Sequence, residues 1–258
     1  MAPGRIRHRR MKRMIDILLA AFGVLLTLPL MLMVAAAVRL GTPGPILYSQ
    51  ERLGRSRRPF RVHKFRTMRV HAEQETGPVW SWDGDPRVTR LGRVLRASHL
   101  DELPQLWNVL RGEMSLVGPR PERAYFVEQF ESTIAGYAER FAVQPGLTGL
   151  SQLRSGYDSS ARTVQRKTRY DRLYVRRASA WLDARILFET AYCTMILPAV
   201  SPRWMRPVAS YGPVSRRDQL DSWSNSVPPP SDAAAVLTRS SSRRFGTGTS
   251  GSVAAGQA

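Results

Sequence analysis

Ile17-Leu-Leu-Ala-Ala-Phe-Gly-Val-Leu-Leu-Thr-Leu-Pro29-Leu-Met-Leu-Met-Val-Ala-Ala-Ala-Val38 carries no charged residue. As a helix these 22 residues span ~33 Å, about the thickness of a bilayer core. Pro29 cannot donate to the Leu25 carbonyl and its ring crowds that group, so the helix is expected to bend or break there. Thr27 offers a hydroxyl to the disturbed backbone. Before the segment stand Arg5, Arg7, Arg9, Arg10, Lys12 and Arg13; after it come Arg39, Arg52, Arg55, Arg57 and Arg58. Positive flanks favour the cytoplasmic side. A simple span forces one basic cluster outward, whereas a helix-break-helix returns to the face it entered; the flanks leave both open. No small-x-small cleavage site follows the apolar run before Arg39, which argues against a secretory signal.

Outward from this segment, the chain is strongly basic. It has 258 residues, with 39 Lys+Arg against 20 Asp+Glu and a net charge of +19. Such a charge calls for a polyanionic neighbour: nucleic acid, anionic headgroups or phosphorylated substrates. The single cysteine, Cys193, excludes an internal disulfide and a Cys-rich zinc site. His8, His63, His71 and His99 show no metal-ligand spacing.

Gly41-Thr42-Pro43-Gly44-Pro45 is a turn cluster that closes the apolar segment. Residues 46–50 and 60–65 read as short strands around a basic turn, and 72–87 read as loop. Helical spacing marks 87–96, then 122–141, a basic helix over 161–177 and an amphipathic one over 182–197. The basic helix suits anionic headgroups. Arg185 and Glu189 make the last helix a poor span. From about Val208, Pro, Ser, Gly and Ala dominate, and 208–258 read as a disordered tail.

Between these lies Arg96-Ala-Ser-His-Leu-Asp101-Glu102-Leu-Pro-Gln-Leu-Trp-Asn-Val-Leu-Arg-Gly112. Ser98 with Asp101 three residues on resembles a capping box, so a helix is expected to start near Ser98. Leu100, Leu103, Trp107 and Leu110 would be its buried stripe, and Gly112 its stop. Asp101 and Glu102 would sit in the first turn, where the dipole keeps carboxylates ionised. Acids in a first turn also serve helix stability alone. Arg96, Arg111 and Arg120 around the pair, and the Val117-Gly-Pro-Arg120-Pro121 turn that fixes an arginine between prolines, point to phosphate chemistry instead.

Several motifs follow one another in a fixed order. They are Lys12-Arg13-x-x-Asp16, Thr42-Pro-Gly-Pro45, Gln50-Glu-Arg-x-Gly54, Lys64-Phe-Arg66-Thr-Met68, Leu100-Asp-Glu-Leu-Pro-Gln-Leu-x-Asn-Val-Leu110, Met114-Ser-Leu-Val-Gly-Pro-Arg-Pro121 and Pro145-Gly-Leu-Thr-Gly149. Together they closely resemble the bacterial sugar transferases, monotopic polyprenyl-phosphate phosphoglycosyl transferases, over roughly residues 11–197. The resemblance implies transfer of a sugar-1-phosphate from a UDP-sugar to undecaprenyl phosphate with release of UMP, the first membrane step of exopolysaccharide, O-antigen or glycoconjugate synthesis. Asp101 matches the family nucleophile that forms an aspartyl-phosphosugar intermediate, and Glu102 its partner acid. The resemblance places Mg²⁺ at Asp101 and Glu102. Lys64, Arg66, Arg96 and Arg120 match substrate phosphate-binding positions.

The fold implied is α+β and predominantly helical: a basic segment at 1–13, a re-entrant broken membrane helix at 14–40, and a catalytic domain at 41–200 with a small β element and amphipathic interfacial helices around the active site. The expected place is the bacterial inner membrane, with the catalytic domain on the cytoplasmic face against lipid headgroups, no nucleic acid bound, and a homo-oligomer left open. Leu28 stands where many relatives have Ser before the proline, and Leu150-Ser-Gln-Leu-Arg-Ser-Gly-Tyr157 departs from the common loop, so its nucleotide contacts are not carried over. The alternative is a non-enzymatic membrane-anchored basic protein that binds nucleic acid or anionic lipid.

Overall fold

The computed structural model describes residues 3–74, 81, 84–155 and 161–196. The tail read at 208–258, the end of the helix read to 197, half of the loop at 72–87 and residues 156–157 lie outside the described residues; the rest of the stretch read as a loop at 150–157 is helical over Leu150–Ser155.

The chain opens with α1 (Pro3–Gly41), 39 residues long and continuous through Pro29. The expected break is therefore not seen. Thr27 donates its hydroxyl to Gly23 at 2.7 Å, so it serves a different carbonyl from the one Pro29 leaves without a donor. The reason for continuity lies in packing. Asp16, Ala20, Val34 and Val38 are buried, and Val24, Leu30 and Met31 pack beside them, so a stripe recurring every three or four residues runs along the domain on both sides of Pro29. The opposite face exposes Leu18, Phe22, Leu25, Leu26, Leu32 and Met33. Among the described residues this is one helix long and apolar enough to cross a membrane.

Strands β1 (Leu47–Leu53) and β2 (Pro59–Phe65) pair antiparallel, with Tyr48 opposite Lys64 and Arg52 opposite Phe60. Helix α2 (Arg90–Ala97) starts at Thr89, whose hydroxyl accepts from the Gly92 N–H at 2.9 Å. Gly92 lets this helix lie against the Thr67 carbonyl, where a Cβ would come within 2.0 Å. A 3₁₀ turn (Leu100–Glu102) leads to α3 (Gln105–Arg111), ended by Gly112 at φ 82°. Asn108, fully buried, accepts from the His63 N–H and donates to the Arg61 carbonyl, which ties α3 to β2.

Here the sequence reading needs correction. Ser98 does not cap a helix start; it closes α2, and its hydroxyl turns back to the Val94 and Leu95 carbonyls. His99 then takes a left-handed conformation, φ 58°, which separates α2 from the acidic turn. Trp107 is 56% exposed and belongs to no buried stripe.

Strands β3 (Ser115–Val117) and β4 (Gly146–Thr148) pair in parallel, an element absent from the sequence reading. Between them, the helix expected over 122–141 divides into α4 (Ala124–Thr133) and a 3₁₀ segment (Tyr137–Ala142). Then follow α5 (Leu150–Ser155), α6 (Ala161–Arg177) and α7 (Ala180–Ala191). The central core joins Ala20, Val62, Val109, Met114, Tyr174 and Ile186, so α1, β2, α3 and α7 share it. A second cluster gathers α4, the 3₁₀ segment and Val164 of α6; a third seats Val34 and Val38 on Phe65 and Leu95.

Candidate active site

Three elements converge on the acidic turn: β2 supplies Lys64, the turn itself Asp101 and Glu102, and the segment after β3 supplies Arg120. Lys64 Nζ and Arg120 Nη2 both donate to Glu102 Oε1, each at 2.6 Å, while Arg120 Nη1 lies 3.4 Å from Oε2. Burial alone would raise the Glu102 carboxyl, but the two cations outweigh it and hold it far below the ordinary carboxylate range. Lys64 is itself lowered by burial, against the pull of Glu102.

Asp101 has the opposite environment. It is 7% exposed, and its carboxylate accepts no hydrogen bond from the described residues. Burial pushes its carboxyl up, Lys64 pulls it down and Glu102 pushes it up again. The expectation that a helix dipole favours its ionised form is thus corrected: the turn is 3₁₀, and burial dominates. Two adjacent acids whose environments separate them in this way fit two roles. Glu102 is a fixed anion that orders its cations. Asp101 is a more basic, unengaged carboxylate, which suits attack on phosphorus.

The backbone around Arg120 is held on three sides. The carbonyls of Pro119, Arg120 and Pro121 accept, in turn, from Gly146 N–H at 2.9 Å, Arg140 Nη2 at 2.8 Å and Arg52 Nη1 at 3.2 Å. Neither Arg52 nor Arg140 was singled out for the site from sequence. Arg52 lies in the quoted Gln50–Gly54 motif; Arg140 carried no signal, because its value comes from a contact twenty residues away.

Of the other expected phosphate ligands, Arg96 donates to Thr67 Oγ1 at 2.9 Å and acts on Asp101 through its charge. Arg66 is not brought to the dyad. It is buried, and donates to the Pro43 and Thr42 carbonyls and to Thr42 Oγ1, at 2.6, 2.7 and 2.9 Å. It clamps the turn after α1.

No group of three or more His, Cys, Asp or Glu gathers among the described residues. Mg²⁺ commonly takes one or two carboxylates and completes its shell with phosphate oxygens and water. Asp101, with its open oxygens, and Glu102 Oε2, which has only the long Arg120 contact, fit that pattern.

A profile described as bacterial sugar transferase matches residues 7–196. The chain is 45% identical over 179 residues to the UDP-N-acetylgalactosamine-undecaprenyl-phosphate N-acetylgalactosaminephosphotransferase of Aeromonas hydrophila, covering 69% of this chain and 42% of that protein. It is 43% identical over 182 residues to the UDP-glucose:undecaprenyl-phosphate glucose-1-phosphate transferase of Xanthomonas campestris pv. campestris, covering 70% and 38%. To the exopolysaccharide production protein PSS of Rhizobium leguminosarum bv. phaseoli it is 38% identical over 185 residues, covering 70% and 92%. The chain thus spans about two fifths of the length of the first two.

Proposed function

Because this chain belongs to the bacterial sugar transferase family, we propose that it moves a sugar-1-phosphate from a UDP-sugar to undecaprenyl phosphate and releases UMP. The relatives are named for both substrates, a UDP-sugar and undecaprenyl phosphate. The observation that carries the reading is the division of labour between the two acids: Glu102 bound by Lys64 and Arg120, Asp101 buried and accepting no hydrogen bond from the described residues.

In the first step an Asp101 carboxylate oxygen attacks the β-phosphorus of the UDP-sugar. An O–P bond forms, the bond from that phosphorus to the bridging oxygen breaks, and UMP leaves with the electron pair. In the second step a phosphate oxygen of the lipid attacks the same phosphorus and Asp101 departs as carboxylate. Both displacements gather negative charge, which Lys64 and Arg120 are placed to offset. Glu102 keeps these two cations aimed at one point and limits their binding to the wrong anion. Mg²⁺, held by Asp101 and Glu102 Oε2, would neutralise the diphosphate.

The site belongs at the cytoplasmic face of the inner membrane. Both ends of α1 are bound to the same domain: Arg13 donates to the Leu110 carbonyl at 2.7 Å and Arg66 holds Thr42 just past the other end. A helix held at both ends by one domain keeps both ends on that domain's side of the bilayer, with its exposed leucines and Phe22 toward lipid. Trp181 and Phe188 on α7, 79% and 71% exposed, suit the same interface. The non-enzymatic reading gains no support, since Lys64, Arg66, Arg120 and Arg140 turn inward to protein oxygens.

Purified protein in lipid nanodiscs, given UDP-sugars, undecaprenyl phosphate and Mg²⁺, should release UMP. Radiolabel from the donor's sugar should remain on the protein when the lipid acceptor is left out. Full turnover by Asp101→Asn would remove Asp101 from its role.

A further inference from the structure

We infer that the buried Arg140–Asp171 pair is a positioning device that sets Arg120 for the transfer reaction. The inference rests on the function proposed above. Arg140 comes from the 3₁₀ segment after α4 and Asp171 from α6; they are 8% and 2% exposed. Their ion-pair contact is 3.1 Å. The Arg140 guanidinium also lies 4.8 Å from the Tyr137 ring and donates to the Tyr137 hydroxyl. Glu122 adds a further negative charge nearby. A cation taken this far from water needs such partners.

The same Nη2 that faces Asp171 donates its hydrogen bond to the Arg120 carbonyl at 2.8 Å. Pro119 and Pro121 restrict the backbone on either side of that residue. Arg140 therefore fixes the main chain of Arg120, and with it the direction from which the Arg120 side chain reaches Glu102 Oε1. Arg140 itself makes no hydrogen bond or ion pair with either acid of the dyad. It acts through Arg120, from the buried face of α6.

A double-mutant cycle tests this. Kinetics of UMP release are measured for the wild type, Arg140→Lys, Arg120→Ala and the double variant. Arg120→Ala should cost ~100-fold in kcat/KM. Arg140→Lys keeps the charge beside Asp171 but loses the fork, and should cost ~10-fold, chiefly in kcat, as expected of misaligned charge. In the Arg120→Ala background it should cost less than about twofold. Equal losses in both backgrounds would overturn the inference, because a merely structural role adds. Asp171→Asn, which loosens Arg140 from the other side, should follow the same pattern should Arg140→Lys fold poorly in a thermal melt. A ¹³C label on the Arg120 guanidinium, read by NMR at neutral pH, needs no substrate. Its shift should move in Arg140→Lys, because the Arg120 contact with Glu102 is disturbed, and an unchanged shift would overturn the inference. Absence of UMP release by the wild type would instead remove the proposed function, leaving the Arg120 guanidinium shift to decide Arg140 alone.

Discussion

Asp16, in the second half of the basic N-terminal helix start, accepts a hydrogen bond from the backbone N–H of Leu116 at 3.1 Å, across one hundred residues of sequence. The bond ties α1 to β3, and β3 leads directly into the Pro119–Pro121 segment that presents Arg120. Helix α1 is thus part of the scaffold of the site. Loss of the carboxylate in Asp16→Ala leaves a buried N–H without its partner and should cost about 1–3 kcal/mol of stability. A chemical-denaturation midpoint in detergent would register it, and an unchanged midpoint would mean that α1 docks independently of this bond.

With both ends of α1 on one domain, the two ends should share one side of the membrane. In a Cys193→Ser background, Met11→Cys and Leu40→Cys place thiols at exposed positions near each end. Neither should react with an impermeant maleimide in intact spheroplasts, and both should react in inside-out vesicles. Labelling of only one of the two from either side would establish a span.

Much of this arrangement was legible in the sequence, and the parts that were not have physical reasons. The apolar run, the Gly41–Pro45 turn, both strands of the β1–β2 hairpin, the acidic pair and Arg120 beside it follow from local pattern, whereas Lys64 was placed at the pair only through the family resemblance. The three-residue strands β3 and β4 are too short to show a period, and their pairing is a long-range event. The capping-box reading at Ser98 failed because left-handed His99 interrupts the helix, a choice set by packing of α2 on the turn. Pro29 was expected to bend or break α1; the helix is not broken there, and the buried stripe on both sides of the proline packs it against the domain. The basic residue in a motif does not reveal which anion or carbonyl it faces, and so Arg66 and Arg140 could not be told apart from Arg120 by sequence.

Arg66 illustrates the point with a measurable consequence. Its guanidinium closes the turn after α1 and is buried there. Arg66→Ala should lower the melting temperature, with a loss of roughly 2–4 kcal/mol for several charge-assisted bonds to carbonyls. The KM for UDP-sugar of the protein that remains folded should change little. A large rise in KM at unchanged stability would return Arg66 to the phosphate site.

The exposed aromatics of α7 predict how the domain meets lipid. Trp181→Ser and Phe188→Ser each remove a large apolar side chain from the surface proposed to rest in the interface. Burial of such a side chain contributes about 1.5–3 kcal/mol, so each change should weaken partition of the detergent-freed protein into anionic vesicles by roughly tenfold or more. Vesicle flotation measures this. Tight flotation of the double variant would place α7 away from the membrane.

The opposed environments of the dyad set the pH dependence, and the signs can be worked out. Asp101 must be ionised to attack, so the rate should fall as pH drops through its carboxyl's value, which burial raises. Glu102→Gln deletes a negative neighbour and releases Lys64 and Arg120 to act on Asp101; the acid limb of kcat/KM should move to lower pH. Lys64→Met deletes a cation and should move it to higher pH. Stability behaves differently. Glu102 is depressed in the folded protein, so its contribution is complete above the ordinary glutamate value of about 4.3 and is lost as pH falls toward its folded value. Glu102→Gln should therefore be less stable than wild type at neutral pH, by about 1–3 kcal/mol, with the gap closing in acid. Shifts of the acid limb in the same direction for both variants would mean that Asp101 is not the group whose ionisation the rate reports.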